Sequence, residues 1–142
     1  VFGARQDPRS QYAAVIPNFF KALCAGTAPV IDGDGEQSRD FTYVRNVAEA
    51  NLRALEAPLR GGEVMNIACG TAVSVNALYR MVGETLGVSI PPRRGAPRPG
   101  DVRHSLADIS RAKELLGLAP AIGIEEGLRL AAPYYREMYR AG

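Results

Sequence analysis

The chain has 142 residues, of which 46% are hydrophobic and 23% are charged, and its formal net charge is +2. This composition is too apolar for a disordered chain and too balanced in charge for a nucleic-acid-binding surface, where a basic stripe is expected. The chain contains no run of about 18 apolar residues, so we expect neither a membrane-spanning helix nor a membrane partner.

The first third of the chain predicts a helix followed by a turn-rich segment. Residues 12–26 carry apolar side chains at helical spacing and end at Gly26, with Pro17 tolerable only in the first turn. Residues 29–31 form a short apolar run. Residues 33–40 are polar and contain glycines, which predicts a loop that faces solvent or a ligand.

The middle of the chain predicts strands that lead into helices. Residues 41–44 have the β-branched and aromatic content of a strand, and residues 47–55 continue with helical spacing. Residues 63–68 resemble a second short strand. A third helix is expected from an N-cap at Ser74 to a stop at Gly87.

The last third predicts two more helices. Residues 88–90 could form a strand, and residues 91–100 are rich in proline and glycine, which predicts no regular element. Asp108 is expected to cap a short helix that ends at Gly117, and residues 124–140 predict a final amphipathic helix. Helices thus alternate with short strands, which indicates an α/β or α+β fold.

Two features indicate that partner structure lies outside the chain. The predicted strands are short for a chain of this length, and a sheet edge needs pairing or cover. The chain also begins at Val1 rather than at methionine. We therefore expect it to be part of a longer translation product.

The two cysteines and the single histidine do not form a metal-binding pattern. Cys24 and Cys69 are far apart in apolar stretches, which predicts buried free thiols in a reducing compartment. His104 stands alone in a loop, where a surface position is typical. We therefore expect a cytoplasmic protein without a metal site.

Two glycine-containing segments concentrate charged side chains that could bind a phosphorylated ligand. Arg39 lies at the end of the loop 33–40, and Arg98 precedes Asp101 in an Arg-Pro-Gly-Asp turn. A guanidinium binds phosphate oxygens in a bidentate manner, and a carboxylate accepts hydroxyl hydrogen bonds. Each segment alone is also compatible with an ordinary turn whose charges are solvated or form a local ion pair.

Taken in order, five stretches carry a family resemblance. They are Val1–Gln6, Ala13–Pro17, Gly33–Val44, Asn66–Gly70 and Arg98–Val102. Over nearly its whole length the chain resembles the C-terminal, substrate-binding portion of an extended short-chain dehydrogenase/reductase, an α/β enzyme with an NAD(P)-binding Rossmann fold. Within the NAD-dependent epimerase/dehydratase family it is most similar to the UDP-N-acetylglucosamine and UDP-glucose 4-epimerases.

The resemblance implies a binding site for a nucleotide diphosphate. Arg39 and Arg98 match the two family arginines on the diphosphate, and Asp101 matches the acid that hydrogen-bonds the ribose. Ala14 and Val15 match a segment that lies along the substrate. Val30 and Asp32 match the strand whose backbone contacts the uracil edge. Many family members have an aromatic residue at the position of Asp32, so base stacking is not expected there.

The resemblance also implies NAD as the cofactor and a UDP-sugar as the substrate. In the family a tyrosine removes the proton of the C4 hydroxyl while NAD takes the hydride, and the hydride then returns to the opposite face. The chain has neither the family's Tyr-x-x-x-Lys pair nor its glycine-rich dinucleotide turn. We therefore expect no catalytic or cofactor-binding residue in this chain, and activity only in the intact enzyme.

The resemblance predicts how the chain is organised and what it does. Residues 1–142 would form the nucleotide-sugar-binding portion, with about residues 41–70 packed against the Rossmann domain, in a homodimeric enzyme that does not bind nucleic acid. A nucleotide-sugar dehydratase or decarboxylase of the same fold is the first alternative. A module that binds nucleotide sugars without turning them over is the second.

Overall fold

The computed structural model describes residues 1–7 and 15–139, in which five helices alternate with four short strands. The elements in chain order are α1 (Val15–Cys24), β1 (Val30–Asp32), β2 (Ser38–Asp40), α2 (Val44–Glu56), β3 (Ala72–Ser74), α3 (Val75–Leu86), β4 (Arg93–Gly95), α4 (Ser110–Leu116) and α5 (Ile124–Met138). This mixed α/β order confirms the predicted fold class. None of these helices is both long enough and apolar enough to cross a bilayer.

Helices α1, α3 and α5 pack around the main hydrophobic core. Each contributes one apolar face, as the helical repeat of 3.6 residues requires. Phe20, Leu78, Leu128 and Tyr135 are fully buried. The rings of Phe20 and Tyr135 stack with their centroids 4.6 Å apart, which joins the first helix to the last.

The first residues of the chain belong to this core. Phe2 is buried, its N–H donates to the carbonyl of Thr42 over 2.9 Å, and its carbonyl accepts from the N–H of Val44 over 2.9 Å. A Cβ atom at Gly127 would lie 2.6 Å from the Phe2 ring, so the absence of a side chain there lets the ring lie against α5. The N-terminal segment is thereby held between α2 and α5.

Two small sheets lie beside the helices. Strands β1 and β4 form a parallel pair, with Asp32 opposite Gly95, and strands β2 and β3 form an antiparallel pair. On its other side, β2 contacts the segment 103–105. The N–H of Ser38 donates to the carbonyl of Arg103 over 2.9 Å, and the N–H of Ser105 donates to the carbonyl of Ser38 over 3.0 Å.

Helices α2 and α4 form a second, smaller packing unit. Their buried contacts are among Ala50, Ala112, Leu116 and Leu118. The opposite side of α2 exposes apolar side chains spread over about three turns, with Val44, Leu52 and Leu55 exposed by 44%, 58% and 83%. Helix α2 therefore has two apolar sides, of which only one is covered by residues that the structure describes.

Most helix ends follow the predicted local chemistry, but Asp108 is not the N-cap of α4. The N-cap is Ile109, without a side-chain hydrogen bond, and Asp108 Oδ1 instead accepts the N–H of Ser110 over 2.9 Å. Ser74 caps α3 because its side chain accepts the N–H of Ala77 over 3.2 Å, and Gly87 ends that helix with a left-handed φ of 72°. Gly117 ends α4 in the same way, with φ of 58°. Pro17 lies in the first turn of α1, so these predictions are confirmed. Residues 12–14 and Arg140, also assigned to helices from the sequence, lie outside the described residues.

The predicted strands are largely wrong in position. The strand lies at 38–40 rather than at 41–44, because β3 pairs with residues 38–40, whereas Tyr43 makes only an isolated bridge with Phe2. Helix α2 then begins at Val44, three residues earlier than expected. A strand also lies within the stretch 91–100, where none was expected, because its backbone pairs with β1.

Two further predicted strands, at 63–68 and 88–90, are absent from the described part of the chain. A strand requires a neighbouring backbone for its hydrogen bonds. No strand lies beside either segment among residues 1–7 and 15–139. Val64, in the segment 63–68 that follows α2 in the chain, is 76% exposed.

The buried hydroxyl of Tyr135 provides a test of how the first and last segments are joined. It donates to the carbonyl of Gly3 over 2.8 Å, and burial raises the pKa of Tyr135 above its ordinary value, so the proton stays in place. We expect Tyr135→Phe to lower the free energy of unfolding by about 1–3 kcal/mol, since it leaves a buried carbonyl unpaired. Chemical denaturation of the protein measures this change. Tyr134→Phe, which alters the adjacent half-buried tyrosine, is the control, and equal losses in the two variants would contradict the account.

Candidate functional site

A cavity of about 360 Å³ lies between the start of α1, strands β1 and β2, and the turn at 98–101. Its wall on the core side is apolar and includes Phe2, Phe19 and Ile31. Residues expected from the sequence to bind substrate also line it: Val15, Val30, Asp32, Arg39, Arg98 and Asp101. Ala14, the remaining expected residue, lies outside the described residues.

Arg39 enters the cavity from the middle of β2. Its backbone is fixed by the ladder, where it lies opposite Val73 of β3. One terminal nitrogen donates to the carbonyl of Ser38 over 2.7 Å, and the other forms an ion pair with the carboxylate of Asp101. Each side chain of this ion pair is about one third exposed. The contacts with Ser38 and Asp101 hold the guanidinium in a fixed direction at the cavity wall.

Arg98 reaches the same cavity from the turn between β4 and the segment beside β2. The N–H of Asp101 donates to the carbonyl of Arg98 over 3.2 Å, and Gly100 has a φ of 76°, which favours glycine at this position of the turn. The Nε of Arg98 donates to the Oδ2 of Asp32 over 2.5 Å. Two guanidinium groups, each paired with a carboxylate, therefore face one cavity.

Asp40 was not assigned to the site from the sequence, although it also lines the cavity. Its two carboxylate oxygens accept the backbone N–H groups of Cys69 over 2.9 Å and Gly70 over 2.8 Å. Asp40 thus holds the turn at 69–70 beside Arg39. Burial, with the nearby Asp40 charge, raises the pKa of Cys69, so this half-buried cysteine is a neutral thiol rather than a nucleophile.

Gln37 and Phe41 are further lining residues that the sequence did not single out. The side-chain amide of Gln37 donates to the carbonyl of Asp32 over 3.1 Å, which joins the loop 33–37 to the end of β1. Phe41 continues the apolar wall next to Asp40. Both residues lie two positions from Arg39 in the sequence, and this proximity could have indicated that they line the same cavity.

A separate ion pair lies just outside this cavity. Arg103 donates to both carboxylate oxygens of Asp34 over 2.8 Å each. The hydrogen bond from Arg103 lowers the pKa of Asp34 to about 2. Neither residue lines the 360 Å³ cavity, although both line an adjoining concave surface with Arg98 and Asp101, so this pair is a neighbouring control for the two pairs that do.

Two other large concave surfaces are formed by the described residues. One, of about 520 Å³, adjoins the cavity and is lined by Arg98, Asp101 and Arg103, whereas the other lies between helices and lacks paired cations. A groove of about 590 Å³ between α1, α3 and α5 contains one guanidinium, that of Arg136. This group donates to the carbonyls of Thr85 over 3.0 Å and Leu86 over 3.3 Å, where it covers the C-terminal end of α3. Burial raises the pKa of Cys24 in the same groove. The groove therefore offers less for an anionic ligand than the cavity between Arg39 and Arg98.

The described residues contain no glycine-rich turn of the kind that binds a dinucleotide cofactor. A dinucleotide site needs such a turn between a strand and the N-terminus of a helix, where the pyrophosphate binds. In the described part of the chain, α3 follows β3 directly, and α2 is preceded by Thr42 and Tyr43. The same residues contain no cluster of histidine, cysteine or acidic side chains that could hold a metal ion.

Comparison with known proteins identifies the family. A model of the NAD dependent epimerase/dehydratase family matches residues 1–68. The chain is also 36% identical, over 96% of its length, to the UDP-glucose 4-epimerase of Mycolicibacterium smegmatis. The chain belongs to this NAD-dependent family and has the fold of the C-terminal part of an extended short-chain dehydrogenase/reductase.

Solved structures give the same result in three dimensions. The UDP-glucose 4-epimerase of Thermotoga maritima, solved with UDP-glucose, is 41% identical and superposes with a TM-score of 0.88 over 96% of this chain. The UDP-N-acetylglucosamine 4-epimerase of Methanobrevibacter ruminantium M1, solved with UDP-N-acetylmuramic acid, is 42% identical with a TM-score of 0.87 over 96% of this chain. The chain spans 43% and 44% of these two structures and 43% of the M. smegmatis relative.

Proposed function

We propose that this chain is the substrate-binding half of an NAD-dependent nucleotide-sugar 4-epimerase that interconverts UDP-glucose and UDP-galactose or their N-acetylated counterparts. The observation that carries the proposal is the convergence of Arg39 and Arg98 on one cavity with an apolar wall. Similarity to UDP-sugar 4-epimerases supports the choice of ligand. The proposal includes a cytoplasmic, homodimeric enzyme, as the family resemblance implies.

The diphosphate of the substrate would lie between the two guanidinium groups. Each group offers several N–H donors in one plane, which suits the oxygens of a phosphate. Arg39 would approach from a strand and Arg98 from a turn, so the two groups would contact the ligand from different sides. The half-buried position of Arg39 would strengthen its contact by limiting competition from water.

The nucleoside would lie next to the diphosphate. Asp101, now paired with Arg39, would accept hydrogen bonds from the ribose hydroxyls while remaining close to that arginine. Strand β1 pairs with β4 along one edge, so the backbone at Val30–Asp32 can offer hydrogen bonds to the uracil along the other edge. Ala14 and Val15 would line the path of the substrate near the start of α1.

The redox chemistry would take place on the other side of the sugar. When bound, NAD would accept the hydride from C4 and return it to the opposite face of the ring. In this proposal the residues that hold NAD and move the C4 proton lie outside these 142 residues. The residues of this chain would hold the nucleotide so that the sugar extends towards the bound NAD.

Residues 41–70 would pack against the dinucleotide-binding domain. This proposal rests on the uncovered apolar side of α2 and on the exposed Val64, since a soluble protein rarely leaves such a surface open. The segment 63–68, which has strand composition but no strand beside it among the described residues, would pair with a strand of that domain. The covered side of α2 remains packed on α4.

A product assay tests the reaction class. The intact enzyme is incubated with NAD and, separately, with UDP-glucose, UDP-N-acetylglucosamine and UDP-glucuronate, and the products are identified by NMR and mass spectrometry. We expect a C4 epimer of unchanged mass from at least one of the first two substrates. Loss of water or of carbon dioxide would indicate the dehydratase or decarboxylase alternative, and binding without any product would indicate a non-catalytic module.

Substitution of the two arginines tests the binding site. Arg39→Ala and Arg98→Ala should each remove a charge-assisted interaction of about 1.5–3 kcal/mol, which raises the Kd for UDP about 10- to 150-fold. Calorimetric titration of the intact enzyme measures the Kd. Arg103→Ala removes a neighbouring guanidinium that is paired with Asp34 and lines only the adjoining concave surface, and we expect a smaller change. Equal effects at Arg98 and Arg103 would show that the site is wrongly assigned.

The proposed domain contact predicts a large effect at an exposed side chain. Leu55 is 83% exposed in this chain, so Leu55→Asp would change stability by only about 0.5 kcal/mol if the helix faced solvent. If Leu55 packs on another domain, its loss should cost about 1.5–3 kcal/mol in the intact enzyme. Leu106→Asp introduces the same change at a leucine that is 59% exposed and lies outside residues 41–70, and it should cost less. Similar small losses for both variants, measured by denaturant unfolding, would argue against the contact.

A further inference from the structure

The pairing of Arg98 with Asp32 has a consequence for ligand binding. The Nε of Arg98 lies 2.5 Å from the Oδ2 of Asp32, and the side chains are 67% and 26% exposed. Asp32 is the less exposed partner and belongs to a strand, whereas Arg98 is a long side chain on a turn. The carboxylate is therefore the fixed member of this ion pair, and the guanidinium is the member that can move.

The sheet and the loop hold the Asp32 carboxylate in place. Asp32 lies opposite Gly95 in the parallel ladder, and a Cβ atom at Gly95 would come within 2.5 Å of the Asp32 Oδ1. The absence of a side chain at Gly95 therefore leaves the space that the carboxylate occupies. The Gln37 amide, which donates to the Asp32 carbonyl over 3.1 Å, holds the same residue from the other direction.

The charges around the cavity are nearly balanced without a ligand. Among the described residues, two guanidinium groups line it, together with the carboxylates of Asp32, Asp40 and Asp101. Asp40 is occupied by two backbone N–H groups, and Asp101 is paired with Arg39. Asp32 is thus the carboxylate that neutralises Arg98, and an incoming anion competes with it for that guanidinium.

Resting on the function proposed above, we infer that Asp32 takes the place of a ligand phosphate at Arg98 and lowers the affinity of the site for anions. Phosphate binding then becomes an exchange of partners, in which Arg98 leaves Asp32 and turns to the ligand. Asp32 is a positioning residue that acts through Arg98. Its removal should therefore strengthen the binding of any diphosphate, with or without a nucleoside attached.

The test compares the binding of inorganic pyrophosphate and of UDP to the intact enzyme by calorimetry at low salt. Asp32→Asn keeps the size of the side chain and removes its charge. Since exposed ion pairs contribute up to about 1 kcal/mol, we expect the variant to bind pyrophosphate about two- to fivefold more tightly. Asp34→Asn removes the same charge two residues away, where the partner is Arg103, and we expect a smaller change.

A double variant separates the action through Arg98 from a general charge effect. In the Arg98→Ala background, Asp32→Asn should no longer increase pyrophosphate affinity. The inference is overturned if Asp32→Asn fails to tighten pyrophosphate binding, if the gain persists without Arg98, or if Asp34→Asn produces an equal gain. The affinity for UDP tests the proposed function separately. If Asp32→Asn increases pyrophosphate affinity as expected but the unaltered enzyme does not bind UDP, the nucleotide-sugar function is wrong and the role of Asp32 is retained.

Discussion

The contact between β2 and the segment 103–105 is the constraint on which the candidate site depends. Arg39 and Asp101 are far apart in the sequence, yet their side chains form an ion pair because backbone hydrogen bonds hold the segment after Asp101 against Ser38. The side chains of Ser38 and His104 reinforce this contact over 2.9 Å. Without it, the backbone of the turn that carries Arg98 would be joined to a strand on one side, through β4, and the other side would depend on the ion pairs of Arg98 and Asp101.

The helical core fixes the apolar wall of the cavity, opposite the wall that carries Arg39 and Arg98. Helix α1 is held by stacking of Phe20 on Tyr135, and the chain start is held by the bonds of Phe2 to the beginning of α2. Both segments contribute to the cavity, Phe2 directly and α1 through its first residues. A rigid apolar wall and a charged wall formed by turns and short strands thus face each other. Such a division suits a ligand with one flat, partly apolar end and one anionic centre.

The sequence was sufficient where structure depends on local chemistry. The ends of α3 follow from Ser74, which bonds to a backbone group three residues later, and from Gly87, which adopts a conformation that favours glycine. Strand positions could not be predicted in this way. The strand β4 has two prolines before it and carries two arginines, and it exists because β1 lies beside it. The segment 41–44 has better strand composition, but among the described residues its backbone pairs only through the isolated bridge of Tyr43 with Phe2.

The same distinction applies to the site. Arg39, Arg98 and Asp101 were selected through a family resemblance, since an arginine in a turn is by itself equally compatible with a solvated charge. Their convergence on one cavity agrees with that selection, whereas the pairing of Asp32 with Arg98 depends on the register of β1 and β4 and could not be foreseen. His104 was expected on the surface and is exposed there, but its bond to Ser38 gives it a part in holding the site together.

We propose that these residues hold the nucleotide diphosphate of a UDP-sugar, and a crystal structure of the intact enzyme with NAD and a UDP-sugar would show this contact. We expect the diphosphate to lie between the guanidinium groups of Arg39 and Arg98, with the ribose hydroxyls on Asp101. A diphosphate bound elsewhere, with both arginines still paired to their carboxylates, would contradict this proposal.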